Sequence, residues 1–336
     1  MKLIRIIIAC CIILSLALFI GHTDPDEVVS AIRQIGYKFI LLIVITAFAY
    51  LLATLSWKYA MGNECKTVSI PRLFMIRHVG ETLSLLNPAS IIGGEAFKVY
   101  LLRDYGMKEK TIISSVMMSR LIMIMTQMLL LAASLTVLLA KKDYSYSPAQ
   151  IVVPSPYLIV AVILTLLLLY IFRNSISRHL SSTKQGAYLK IKYHLLYLKF
   201  AQIILELKTV LKSNKLMIGI SFLLAALHWI TGATEFYFIL KFLGIKVSLM
   251  NALMIDMGVI IFKTAGAFIP GQLGIEEYGN KIMLAAIGIP GTEIWITASI
   301  LRRARQCCWI LAGGLIYLYL FRKKEKSLNG NPVHQP

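Results

Sequence analysis

The sequence predicts an all-α, polytopic integral membrane helix bundle, and three observations carry that expectation. Hydrophobic residues fill 58% of the 336 positions and mean hydropathy is +0.73. Several apolar runs approach or exceed the roughly 20 residues that span a bilayer. Charged residues make up only 15% of the chain, too few to cover such helices in a soluble protein. Basic residues cluster between apolar runs, where they set orientation and meet anionic headgroups. The formal net charge of +19 is therefore read as a membrane signature, and no nucleic-acid partner is expected. No soluble stretch is long enough to bury its own core, so residues 1–321 are expected to form one transmembrane domain.

In chain order, Lys2 and Arg5 precede an apolar run from Ile6 to Ile20. No small-residue cleavage site follows, so an anchor is preferred to a signal peptide. Residues 21–38 read as an external loop with a short helix. Phe39–Met61 is a spanning helix ending in the interfacial flank Trp57, Lys58, Tyr59. Lys66, Arg72, Arg77 and His78 mark 62–78 as cytoplasmic. The stretch Asn87–Met107 is broken by Pro and Gly, and Thr111–Ala140 is a long helix whose one full charge is Arg120. After Pro148, Pro154 and Pro156 the chain spans again over 157–172.

Residues 173–215 hold nine Lys/Arg and one acid, Glu206. Within them, 187–211 has the three- and four-residue apolar steps of an amphipathic helix on a cytoplasmic membrane surface; a solvated linker helix has the same periodicity. Leu216–Leu240 spans, Leu249–Ile269 is apolar with Asp256 and Lys263 inside it, and Thr292–Phe321 is the last span. The basic run from Arg322 opens a tail, 322–336, expected to be disordered.

A repeat organises these elements. Shifted by 182, Pro88 meets Pro270, Glu95 meets Glu277, Gly106 meets Gly288 and Arg120 meets Arg302. Repeat 1 is placed at about 39–140 and repeat 2 at about 216–321, joined by the basic linker 173–215. With both basic termini in the cytoplasm, about 6–8 membrane helices fit if each broken motif is a re-entrant hairpin. The halves are then inverted repeats, with the binding site between them. Lys141, Lys142, Lys241 and Lys246 on the outer side count against this arrangement, which is nonetheless preferred; a full crossing by 249–269 is the alternative topology.

Few residues can carry chemistry. Ser90-Ile-Ile-Gly93-Gly94-Glu95 reads as the start of a half-helix, whose free N–H groups and dipole favour an anion; tight helix packing explains the two glycines equally well. Arg120 sits near mid-helix, where an uncompensated charge costs roughly 2.5–3.5 kcal/mol. It needs a partner: Glu95, Glu277 or a substrate phosphate. Lys98, one turn from Glu95, joins this set. In the second motif Pro270, Gly271 and Gly274 precede Glu276 and Glu277, adjacent acids that face water or hold a proton. Arg302 is the counterpart of Arg120; it and its neighbours Arg303 and Arg305 could equally mark an interface. Asp256 and Lys263, seven apart, share a helix face and are expected to pair through intermediaries, and His228 is read as packing. The five cysteines have no metal-ligand spacing, no metal or other cofactor is expected, and nucleotide-loop, zinc-protease and serine-hydrolase motifs are absent.

At NPASIIGGEAFKVYLLRDYGM, SSVMMSRL, PGQLGIEEYGNKIMLAAIGIP and ASILRRARQ the chain resembles the transmembrane region of lysylphosphatidylglycerol synthases, the flippase-like domain family, over about Ile6–Phe321. The resemblance implies a polytopic prokaryotic inner-membrane protein that handles lipids, with Glu95, Arg120, Glu277 and Arg302 carried over as site positions. The full synthases add a cytosolic aminoacyl-transferase domain that this sequence does not contain, so no enzyme activity is expected. The expected function is translocation of a phosphate-bearing, glycosylated or isoprenoid lipid. The alternative is a non-catalytic subunit that anchors or regulates a glycosyltransferase or lipid-modifying enzyme.

Overall fold

In lipid a backbone has no water to bond, and a helix satisfies its own N–H and C=O groups. Accordingly, every regular element among the described residues is helical. The computed structural model describes residues 25–62, 66, 68–86, 90–140, 215–265, 272, 274–289 and 291–328. The expected segments 4–20, 157–172 and 187–211 lie outside them. The helices are α1 (Pro25–Ile35), α2 (Phe39–Ala60), α3 (Ile70–Leu86), α4 (Ser90–Leu102), α5 (Glu109–Ala140), α6 (Lys215–Phe242), α7 (Leu249–Ala265), α8 (Ile275–Ala286) and α9 (Thr292–Leu328). The runs Val29–Ala60, Glu109–Ser134 and Lys215–Phe242 are long and apolar enough to cross a membrane. They are apolar on every face: in α2, Leu42, Ala49 and Leu52 are buried while Ile40, Val44 and Phe48 point outward, as a lipid-facing helix requires.

Two antiparallel hairpins, α3–α4 and α7–α8, are the most closely packed helix pairs. Their second arms have 13 and 12 residues, about 20 and 18 Å at 1.5 Å per residue, short of the roughly 30 Å hydrocarbon core. In the first hairpin the arms touch at glycines. A Cβ on Gly94 would lie 2.3 Å from the Gly80 carbonyl oxygen and 2.0 Å from Ser84 Oγ, so Gly94 is what allows the two backbones to meet. In the second, Phe262 packs on Gly279 and Met283 on Gly258.

The 182 shift fits the helices as well as the motifs. It carries α2 onto 221–242, and α6 ends at Phe242; it carries the start of α5 to 291, one residue before α9 begins. Left-handed glycines coincide too: Gly62 (φ 62°) with Gly244 (φ 80°), and Gly106 (φ 71°) with Gly288 (φ 83°). Each stops a helix where a Cβ would be strained.

The matched helices α2 and α6 run antiparallel. Ser56 and Ser221 exchange hydrogen bonds, each hydroxyl donating to the other's carbonyl at 2.8 and 2.7 Å. Seven residues back along α2 and seven forward along α6, the His228 ring Nδ1 bonds the Ala49 carbonyl at 2.8 Å. Cross-packing is reciprocal: α9 lies on α3, and α5, its counterpart, lies on α7. At the first contact Gly313 admits Thr82, whose Oγ1 stands 2.2 Å from where a Cβ would be.

One expectation changes and one gains detail. Arg77 and His78, expected on the cytoplasmic side, lie within α3, which begins at Ile70. His78 is 4% exposed and is enclosed by Tyr50, Phe74 and Trp309. The basic run after Phe321 continues α9 to Leu328 instead of opening a disordered tail there. Lys, Arg and Glu are good helix formers, and cations suit a helix C-terminus.

Candidate functional site

Each hairpin holds a cluster of ionisable side chains. The first begins with Lys98 on α4. Gly80, opposite it on α3, has no side chain, so the Lys98 stem passes over the Gly80 backbone. The buried ammonium then meets Glu81 at 2.6 Å and Glu95 at 3.1 Å and lies 5.8 Å above the Trp57 ring. Arg120, from α5, reaches Glu95 at 3.8 Å, and its side chain is 42% exposed. Arg77, one turn before Glu81 on α3, lies over the Tyr50 ring at 5.8 Å. Gly93, in the first turn of α4, is exposed beside Glu95.

The second cluster is enclosed. Arg302, from α9, is 7% exposed and faces three carboxylates: Asp256 at 3.0 Å, Glu276 at 3.5 Å and Glu235 at 3.7 Å. It also lies over the Phe236 ring at 4.2 Å. Glu235 meets Arg305 at 2.7 Å, Glu276 meets Lys263 at 3.3 Å, and Glu277 pairs with Arg303. Asn280 donates to Ser299 at 2.8 Å. Glu276 and Glu277 open α8 behind Gly274 (φ 80°), where the helix dipole favours acids.

Of the residues singled out in the sequence, Gly94, Glu95, Lys98 and Arg120 come together in the first cluster, with Gly93 at its edge. Glu276, Glu277 and Arg302 come together in the second, with Gly274 at the helix start; Pro270 and Gly271 lie outside the described residues. Arg120 takes Glu95 and not Glu277, which is held by Arg303. Asp256 meets Arg302, Arg302 meets Glu276 and Glu276 meets Lys263, so Asp256 and Lys263, on one helix face, are joined through intermediaries. Arg302 and Arg303 are buried among the helices. Sequence reasoning missed Glu81. The signal was available, since the 182 shift sets Glu81 against Lys263, a charge at the same place with the sign reversed.

Among the described residues no group of His, Cys, Asp and Glu could hold a metal ion. What the first cluster can do is bind an anion, with Arg120 exposed and only loosely held by Glu95. In the second, each cation stands against a carboxylate.

Comparison with curated proteins finds no match. Comparison with protein families finds one, described as the lysylphosphatidylglycerol synthase TM region, over residues 3–314. The bundle, its broken hairpins and their buried charges are thus those of a chain that belongs to the lysylphosphatidylglycerol synthase transmembrane-region family.

Proposed function

We propose that this membrane protein translocates a lipid, binding its headgroup phosphate at the first hairpin and exposing it alternately to the two sides. The observation that carries the reading is the antiparallel packing of α2 and α6, helices matched by the 182 shift. Matched helices related by an axis along the membrane normal would run parallel; an axis in the membrane plane reverses them. Inverted repeats of this kind place a substrate between halves that can exchange conformations. The reciprocal packing of α9 on α3 and of α5 on α7 supports the same symmetry. In this reading the protein sits in a prokaryotic inner membrane with both termini in the cytoplasm. The lipid phosphate lies against Arg120 and the first turn of α4.

The test is reconstitution into vesicles with a fluorescent phospholipid in both leaflets, followed by reduction of the outer leaflet. Wild type exposes inner-leaflet label and Arg120→Ala does not. Equal transfer by folded Arg120→Ala protein and wild type removes Arg120 from the mechanism, and no transfer by either removes translocation of that lipid.

A further inference from the structure

The second repeat shows what the first lacks. Its helices α6 and α7 close on a buried apolar cluster of Ala233, Leu253 and Met257, with Trp229 and Ile230 of α6 and Leu130 and Leu131 of α5 packed against it. The Trp229 indole also donates to the Met123 carbonyl of α5 at 3.1 Å, which fixes that helix over the cluster. Shifted back by 182, Trp229, Ile230, Ala233, Leu253 and Met257 become Ala47, Phe48, Leu51, Pro71 and Met75. There, with Ile316, they line an open groove between α2, α3 and α9. Its volume is about 690 Å3, and every described residue that lines it is apolar. The side chains that would fill it are small. Ala47 stands for Trp229, and on α9 Ala312 and Gly313 stand for Leu130 and Leu131. No larger residue fits at Gly313, because Thr82 Oγ1 occupies the place of a Cβ.

We propose that this groove seats one hydrocarbon chain of a bilayer lipid, which does in the first repeat the packing that Trp229, Leu130 and Leu131 do in the second. Protein interiors leave few voids larger than a water molecule, so the matched place needs a filler. Water is a poor one, since the lining offers no polar side chain to hold it. The groove opens on the outward face of α2, where Val44 and Phe48 are half-exposed, in a run long and apolar enough to cross a membrane. What lies against such a face is lipid hydrocarbon. The volume is that of a small-ligand site, about 300–1,000 Å3. A helix is roughly 10–12 Å across with its side chains, so a turn or two would exhaust the groove, whereas a flexible chain runs along it. The seat recognises hydrocarbon and no headgroup, and it is therefore independent of the phosphate site proposed above.

The probe is phosphatidylcholine with a photoactivatable diazirine at mid-chain, added in equimolar amount to the purified full chain in detergent. After illumination the labelled residues are mapped by peptide mass spectrometry. Wild type should carry label on Ala47, Leu51 and Met75 at about tenfold the yield on Met125 and Leu129, outward residues of α5 that detergent covers. That comparison needs no variant. Ala47→Trp, which copies Trp229, should lower the groove label by about tenfold, the effect of displacing two methylenes, and leave the label on α5 unchanged. Arg120→Ala, which removes the cation of the phosphate site, should leave the groove label intact. Equal yields on the groove and on α5 in wild type would make the groove ordinary lipid-facing surface and overturn the proposal. A groove left unlabelled while α5 is labelled would overturn it too, and would mean that a segment of this chain covers the place. Groove label unmoved in folded Ala47→Trp would show that side chain and lipid chain do not compete for one place. Groove label lost in Arg120→Ala would overturn the seat as a site of its own.

Discussion

Under the 182 shift, Gly80 and Lys98 in the first hairpin become Phe262 and Asn280 in the second. The exchange is concerted. Where α3 has no side chain, a long lysine crosses the gap and ties both arms to carboxylates. Where α7 has a phenylalanine, the opposite positions are a short asparagine and Gly279, and Phe262 fills the space. Glu81 and Lys263 occupy matched places with opposite charge, and each finds its partner on the second arm: Lys98 for one, Glu276 for the other. Matched backbones thus hold two solutions to the same problem of burying charge. One closes on itself, and the other leaves a cation facing outward.

The largest expected effect separates the two arginines. Arg302→Ala leaves Asp256, Glu235 and Glu276 without their shared cation, and removing one partner of a buried ion pair costs about 3–5 kcal/mol. Arg120→Ala removes a half-exposed group held at 3.8 Å and should cost under about 1 kcal/mol while abolishing transport. Unfolding midpoints of both variants in the same detergent check the pair. Equal losses of stability would mean that the first cluster is as structural as the second.

Next in size are the hairpin glycines. A methyl on Gly94 meets Gly80 backbone at 2.3 Å, and backbone cannot rotate away, so Gly94→Ala should cost about 1–3 kcal/mol. A methyl on Gly279 meets Phe262 side-chain atoms at 3.1–3.2 Å; small shifts relieve that contact, and the cost should be under about 1 kcal/mol. A larger loss at Gly279 in thermal unfolding would reverse the assignment of the tighter hairpin.

How much of this was legible in the sequence follows from what each signal depends on. Apolar runs with a membrane's length announce helices, because lipid admits few other solutions. Left-handed turns announce themselves through glycine, and the 182 repeat was visible at Gly106 and Gly288. Partner choice was not visible. Asp256 and Lys263 lie on one helix face by spacing, yet each bonds to a different helix, since the crossing of α7 with α8 and α9 decides which charges meet. Arg77 and His78 read as cytoplasmic because basic residues mark that side of membrane sequences. Here α3 carries them inward, where aromatic rings enclose the histidine and Tyr50 meets the arginine.

The smallest effect tests what the hairpins share. Gly106 and Gly288 have φ of 71° and 83°, and a Cβ on either would meet nothing within 4 Å. Packing therefore contributes no difference between them, and only backbone conformation is at stake. A left-handed non-glycine residue costs about 1–2 kcal/mol, so Gly106→Ala and Gly288→Ala should lower stability by about 1 kcal/mol each. Asparagine, which tolerates this conformation better, should cost less at both. Unequal losses in side-by-side unfolding would show that the divergence of the two hairpins extends to the turns after them. Equal losses would confine it to the side chains between the arms, where one hairpin leaves a half-exposed cation and the other does not.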